Sequence, residues 1–234
     1  MDVSIQDMDI VELIKEAENG DDLAVENLLI AAAMCEELSC NNQDFWKIMH
    51  GYYKRMASRG YGNAFIYLAG DYRTGTGGVA KNIWKAKEYY ELAIGHGCRA
   101  GYEFLAGLYV TGDTLDINYK KAYKLLMKSM YCEGSIVGLS SDMGKYLLAE
   151  FYFRGLYVSR NLSNAEEYYR NVIAIGSDYD ASFYWRAQYR LGQIYELKGD
   201  EKNAQKHKGI AREYYNRDEE WDENKIEDLL IDYI

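Results

Sequence analysis

A short pattern, Leu-small-x-x-Tyr, occurs four times in this 234-residue chain and constrains its fold more than any other feature. The copies are LAGDY at 68–72, LAGLY at 105–109, LAEFY at 148–152 and LGQIY at 191–195. A second helical pattern follows each copy, centred in turn on Ala86, Ala122, Ala165 and Ala204. The Leu, the small residue and the Tyr cover about 100° of a helix surface, an arc that must be buried. Because one helix pair cannot bury this arc alone, the pattern predicts stacked helix pairs.

The segment 64–97, AFIYLAGDYRTGTGGVAKNIWKAKEYYELAIGHG, resembles a Sel-one-like repeat, a relative of the tetratricopeptide repeat. The matching features are the LAG-x-Y first helix, the glycine-rich loop, the K-A-x-x-Y-Y second helix and the closing Gly97. The copies at 100–134 and 144–176 match less well, and the fourth has His207 and Lys208 in place of the paired aromatics. The resemblance implies an all-α fold, an α/α superhelical solenoid of stacked antiparallel helix pairs.

We expect about twelve helices in one repeat domain that covers residues 1–234. Its predicted parts are an N-terminal helix in 1–20, a divergent first repeat in 21–62, four Sel-one-like or tetratricopeptide-like repeats in 63–217, and an acidic capping helix in 218–234. Residues 43–59 are the predicted second helix of the divergent repeat. The chain has no Pro, which suits an uninterrupted helical array because Pro inside a helix costs about 3 kcal/mol.

The net charge of −10 is unevenly distributed. Residues 1–37 carry a net charge of −10 and residues 217–234 carry −6, whereas the stretch between them carries +6. The two acidic ends either bind a partner or only cap the solenoid, and the sequence leaves both alternatives open.

Several classes of function find no support in the sequence. The acidic start has no signal-peptide pattern and no window resembles a membrane span, so a cytoplasmic protein that does not bind membranes is expected. The loop GTGG at 75–78 lacks the spacing of a phosphate-binding loop, and no catalytic motif, metal site or cofactor site is predicted. Cys98 and Cys132 both follow second helices of adjacent repeats, and the sequence leaves their pairing open.

A protein-binding surface is the remaining prediction, and it is placed by analogy with the tetratricopeptide fold. There, the face of each first helix opposite the buried arc lines a concave groove. The partner-binding candidates on this face are Arg73, Glu103, Tyr146, Glu150, Phe153, Arg154, Arg186, Tyr189, Gln193 and Glu196. Repeats three and four contribute most of the Tyr and Arg residues among these candidates, and Tyr and Arg are residue types that concentrate binding energy at interfaces.

The leading hypothesis is therefore a non-enzymatic adaptor or regulator that binds another protein of unknown identity. One alternative is a small bacterial or phage immunity protein whose acidic ends mimic a phosphate backbone and neutralise a toxin or defence enzyme. A second alternative is a single-stranded nucleic-acid-binding protein, which the 24 Tyr and the mildly basic middle suggest but the acidic ends disfavour. Self-association of the chain stays open.

Overall fold

The computed structural model describes residues 15–16, 19, 43–112, 115–132, 142–176 and 181–215, and these residues form α-helices and their connections. Nine helices with defined bounds lie in these ranges: α1 (Gln43–Ser58), α2 (Gly62–Thr74), α3 (Ile83–Gly95), α4 (Arg99–Thr111), α5 (Tyr119–Met130), α6 (Asp142–Arg154), α7 (Leu162–Ile173), α8 (Ala181–Leu197) and α9 (Glu201–Tyr214). They include both helices of each predicted repeat and the predicted second helix at 43–59. The other three helices expected from the sequence lie outside these ranges, apart from residues 15–16 and 19 of the predicted N-terminal helix.

The chain forms two compact units, Met1–Gly101 and Tyr102–Ile234, and their boundary falls inside α4. In the first unit α2 packs against α1 and α3. In the second unit α6 packs against α5, α7 and α8, and α8 packs against α7 and α9. Within each unit these helices therefore contact their neighbours along the chain, as in a helical-repeat solenoid.

The same cap joins the two helices of all four predicted repeats. The residue before each second helix donates its backbone N–H to the carbonyl oxygen of the repeat Tyr: Asn82 to Tyr72 (2.6 Å), Asn118 to Tyr109 (2.9 Å), Asn161 to Tyr152 (2.9 Å) and Asp200 to Tyr195 (2.9 Å). Each of these side chains also accepts a hydrogen bond from a backbone N–H in the first turn of its helix. One residue therefore ends the connection and starts the second helix at the same place in every repeat.

The repeat pattern is buried as predicted, except at two of its four tyrosines. The Leu and the following small residue are buried in all four copies, so the small side chains admit a neighbouring helix. Tyr109 and Tyr195 are also buried, whereas Tyr72 and Tyr152 are half-buried. The ring of Tyr72 stacks on Tyr89 at 5.5 Å and that of Tyr152 stacks on Tyr168 at 5.9 Å. In repeats one and three, the first of the paired tyrosines of the second helix thus packs on the Tyr of the first helix.

The glycine-rich loop after α2 forms a turn that leads to α3. Gly75 adopts φ 86° and its N–H donates to the carbonyl of Asp71 at 2.8 Å, which ends α2. The Asp71 carboxylate accepts from Thr76 Oγ1 at 3.0 Å and from Nδ1–H of the buried His50 at 2.7 Å. One acidic side chain thereby ties the loop to both α1 and α2.

Three further observations concern the described residues. None of their helices is both long and apolar enough to cross a membrane. Across the same ranges, no three His, Cys, Asp or Glu side chains come together as metal ligands. Neither Cys98 nor Cys132 forms a disulfide, and the Cys98 thiol donates to Asn63 Oδ1 at 3.1 Å.

Candidate protein-binding face on α6 and α8

The predicted binding residues of repeats three and four lie on α6 and α8, the first helices of these repeats, which contact each other. We call this surface the α6/α8 face: it comprises Phe153 and Arg154 at the end of α6 and Gln193, Glu196 and Leu197 in the last turns of α8. A buried charged cluster lies beneath it and sets its geometry.

The carboxylate of Glu150 is the centre of that cluster. Its Oε1 accepts from Arg190 Nε at 2.7 Å and from the Tyr169 hydroxyl at 2.6 Å. Its Oε2 accepts from Arg154 Nε at 2.6 Å and from Arg190 Nη2 at 3.1 Å. Arg190 Nη1 also donates to Gln193 Oε1 at 2.7 Å. Residues of α6, α7 and α8 are thus joined through one side chain, so the three helices hold a fixed relative position.

The surroundings favour the ionised carboxylate. Burial alone would raise the pKa of Glu150, but the positive charge and hydrogen bonds of Arg190, followed by Arg154 and the Tyr169 hydroxyl, lower the pKa below its ordinary value. Burial alone would lower the pKa of Arg190. The negative charge of Glu150 more than offsets that effect, so the pKa of the guanidinium is raised. Burial, followed by the negative charge of Glu150, raises the pKa of Tyr146 and of Tyr169 well above the usual range. The cluster therefore holds charged Glu150 and Arg190 beside neutral tyrosines at neutral pH.

Aromatic rings enclose the cluster. The Arg190 guanidinium lies 4.7 Å from the centre of the Phe153 ring, and that of Arg160 lies 5.6 Å from it. The Tyr146 ring contacts Tyr169 at 5.8 Å and Phe183 at 5.5 Å. These rings exclude water from the ion pair and provide cation–π contacts.

The ten predicted partner-binding residues are not equally accessible. Glu103, Tyr146, Glu150, Arg186 and Tyr189 are buried, although the sequence placed them opposite the buried arc. Arg73, Phe153, Arg154 and Gln193 are partly exposed, and Glu196 is exposed; Arg73 belongs to the first compact unit and the other four to the second.

The expected orientation of the five buried residues was wrong for a physical reason. The repeat pattern predicts one buried arc of about 100° on each first helix, set by its own repeat. In the structure α6 is also covered by α5 and α8, so the arc extends to Tyr146 and Glu150. The accessible part of this face is confined to the C-terminal turns of α6 and α8.

Sequence reasoning missed Arg190, which is 1% exposed and bonds the predicted residue Glu150. Its one signal is a cation directly before Leu191, the first residue of the fourth repeat pattern. The sequence also does not reveal Lys208 of α9, whose Nζ donates to Glu196 Oε1 at 2.6 Å and lies 5.5 Å from the Tyr189 ring centre. Both residues meet the face only through tertiary packing.

The helix pairs and their shared cap define an all-α helical-repeat fold of the Sel-one-like type. The chain is similar to a Sel1 repeat protein from Oxalobacter formigenes, whose crystal structure superposes with a TM-score of 0.63 at 19% identity, covering 88% of this chain and 80% of that one. It is also similar to c5321, a protective antigen of uropathogenic Escherichia coli strains with an SLR fold. There the TM-score is 0.57 at 20% identity, covering 89% of this chain and 40% of the longer one. No protein-family profile and no curated protein matches the chain.

Proposed function

We propose that this chain is a non-enzymatic, cytoplasmic adaptor or regulator that binds a partner protein through the α6/α8 face. The observation that supports the proposal is the hydrogen-bonded cluster around Glu150, which lies beneath the accessible residues of the α6/α8 face. Glu150, which accepts hydrogen bonds from three residues, positions Arg154, whose side chain is 28% exposed. A preorganised surface loses little conformational entropy when a partner binds.

The accessible edge has the composition of a protein interface. Phe153 is half-buried and Leu197 is 58% exposed, so both offer apolar area. Arg154 and Glu196 add opposite charges, paired within the chain with Glu150 and Lys208, and Gln193 adds a side-chain amide. Aromatic and Arg residues beside apolar area concentrate binding energy, and the polar groups around them fix the register of the bound segment.

The test uses Glu196→Ala/Leu197→Ser, a double variant that alters two exposed positions without touching the buried cluster. Its matched control is Glu91→Ala/Leu92→Ser on α3, because that pair is also exposed and Glu91 is likewise paired with a Lys, Lys87, at 2.8 Å. We expect the first variant to recover at least about tenfold less of the wild-type chain's main partner from a lysate of the native host, measured by quantitative mass spectrometry, as for a residue at a binding hot spot. The control should recover as much as the wild-type chain.

Equal recovery with both variants would place the partner elsewhere and overturn the assignment of this face. A captured toxin or defence enzyme would identify the regulator as an immunity protein. Recovery that disappears after nuclease treatment would replace the proposal with nucleic-acid binding.

A further inference from the structure

The loop between α6 and α7 contains a strained tyrosine. In the described parts of the chain, Tyr157 is the one residue other than Gly with a positive φ, 62°. The connection from α2 to α3 has Gly77 at the same place, two residues after Gly75 as Tyr157 is two residues after Gly155, and its φ is 65°. A side chain in this left-handed conformation lowers the folded-to-unfolded ratio by roughly 5- to 30-fold. Since the turn itself does not require Tyr, the strain points to a role for the ring.

The ring of Tyr157 is 51% exposed and belongs to a group of five tyrosines. It contacts the ring of Tyr123 at 5.7 Å. The Tyr123 hydroxyl is hydrogen-bonded to that of Tyr152 at 3.0 Å, and the Tyr152 ring stacks on Tyr168 at 5.9 Å. Burial, then the hydrogen bond and charge of Tyr152, then the charges of Tyr168 and Tyr131 raise the pKa of Tyr123 above its ordinary value. Tyr131, which is 79% exposed, therefore lies near the same group, and we call these five residues the tyrosine cluster.

The helices that carry the tyrosine cluster are mainly cationic on this side of the chain. Residues 119–130 and 142–161 together hold seven Lys and Arg residues and two acidic residues. One of the two acids, Glu150, is buried, and its carboxylate already accepts hydrogen bonds from two arginines. Lys124 and Lys128 of α5 are exposed. Cations attract carboxylates, and neutral phenol hydroxyls donate hydrogen bonds to them, so this surface complements an acidic segment.

The loop that carries Tyr157 is continuous with the α6/α8 face. Arg160 donates its Nε–H to the carbonyl oxygen of Phe153 at 3.0 Å, and its guanidinium lies 5.6 Å from the centre of the Phe153 ring. Tyr157 therefore lies in a loop whose two ends meet at a residue of that face. The face also offers the exposed apolar side chain of Leu197, which a protein segment covers better than a nucleic-acid backbone does.

We propose that Tyr157 anchors an acidic segment of the partner protein, which extends from the α6/α8 face over the tyrosine cluster. This inference rests on the proposed function and adds the chemistry of the bound segment. The exposed Tyr rings contact its apolar or aromatic side chains, and the phenol hydroxyls and lysines bind its carboxylates.

Substitutions of Tyr157 in the full chain separate binding from folding. The probe is a fluorescein-labelled peptide of repeated Glu-Glu-Tyr units, and fluorescence anisotropy measures its dissociation constant. We expect Tyr157→Gly to weaken binding at least about tenfold and to unfold at the same urea concentration as the wild-type chain or a higher one, because the strain is removed with the ring. Tyr157→Ala should bind as weakly, but its folded-to-unfolded ratio should be at least about fivefold lower than that of Tyr157→Gly, since its backbone keeps the strain. The matched control is Tyr61→Gly, because Tyr61 is 54% exposed with an ordinary φ of −74°, and it should bind as the wild-type chain does.

Charge variants test the acidic character of the bound segment. Lys124→Glu/Lys128→Glu should also weaken binding of the peptide at least about tenfold. The control is Lys202→Glu/Lys206→Glu, which reverses two exposed lysines with the same spacing on α9 and should leave binding unchanged. A peptide of repeated Gln-Gln-Tyr units should bind the wild-type chain at least about tenfold more weakly than the acidic peptide.

Three results would overturn the proposal: no binding of the acidic peptide to the wild-type chain, equal binding by Tyr157→Gly, or unfolding of Tyr157→Gly at a lower urea concentration, which would make the ring a packing residue. Binding of a single-stranded RNA that is lost in Tyr157→Gly, without binding of the peptide, would assign the tyrosine cluster to nucleic acid instead. The Glu196→Ala/Leu197→Ser variant leaves the tyrosine cluster untouched. If that variant recovers the partner normally while Tyr157→Gly loses the peptide, the α6/α8 face fails and the acidic-segment site stands.

Discussion

Arg190 Nε lies 2.7 Å from Glu150 Oε1, and this ion pair joins α8 to α6 across 40 residues of sequence. The side chains are 1% and 4% exposed. Two charges lose most of their hydration at such a site, and their attraction must offset that loss. Removing one partner would leave the other charge buried and unpaired, which is costly. The pair therefore stabilises the packing of the third repeat against the fourth.

Replacing Arg190 by Leu should therefore lower the free energy of unfolding by about 3–5 kcal/mol. Urea denaturation followed by circular dichroism measures the loss. Arg154→Leu is the control, because its guanidinium bonds the same carboxylate but is 28% exposed, and we expect a smaller loss. Equal losses for the two variants would show that burial does not set the strength of the Arg190 contact.

The stability of the second unit should depend on pH through Glu150. Its pKa in the folded chain lies below the ordinary value of 4.5, so the ionised carboxylate stabilises the fold above pH 4.5. That contribution is lost as the pH falls through the folded-state pKa. The difference in free energy of unfolding between the wild-type chain and Glu150→Gln should be constant near neutrality and shrink below pH 4.5. A difference that is constant down to pH 3 would contradict the assignment of Glu150 as the titrating group.

The repeat pattern predicted α1–α9 because its information is local. Offsets of one and four residues place Leu, the small residue and Tyr on one helix side; Leu and the small residue are buried in every copy, and Tyr is buried in two copies and half-buried in two. The caps are equally local: Asn82, Asn118, Asn161 and Asp200 each stand four residues before the repeat Ala. The spacing therefore contains a signal for the start of each second helix.

The details of the candidate site could not be derived in this way. Glu150 and Arg190 meet only because α6 and α8 pack side by side, and no local spacing relates the two residues. The same packing buries Tyr146, which helical periodicity alone placed on an open face. Local pattern thus predicts which side of a helix faces its own repeat, whereas the neighbouring repeats decide how much of the other side stays accessible.

The Asn161 cap should be measurable by substitution. Its side-chain oxygen accepts hydrogen bonds from the backbone N–H groups of Ser163 at 3.1 Å and Asn164 at 3.0 Å. Asn161→Ala should lower the free energy of unfolding by about 1 kcal/mol, while Asn161→Asp should retain most of it. Ser163→Ala in the same turn is the control and should change stability by less than about 0.5 kcal/mol. If the Asp variant were as unstable as the Ala variant, side-chain capping would not explain the loss.

Gly60 and Gly77 both have a left-handed backbone, but only Gly77 lies in a crowded site. Substitution of each by Ala therefore compares the cost of the backbone conformation alone with the cost of the conformation and a steric clash together. Gly60 has φ 88° and open space around its Cα, whereas a Cβ on Gly77, at φ 65°, would lie 2.8 Å from Asp71 Oδ2 and 2.9 Å from His50 Cβ. Gly60→Ala should lower the free energy of unfolding by roughly 1–2 kcal/mol, the cost of a left-handed residue with a side chain. Gly77→Ala should lower it further, because the new methyl group pushes apart Asp71 and His50, whose hydrogen bond ties the loop to α1.

Urea denaturation of both variants gives the comparison. Hydrogen exchange at the Thr76 amide, which donates to the Asp71 carbonyl at 3.1 Å, should accelerate only in Gly77→Ala. Equal losses in the two variants would mean that the loop shifts without cost and that Asp71 does not hold it.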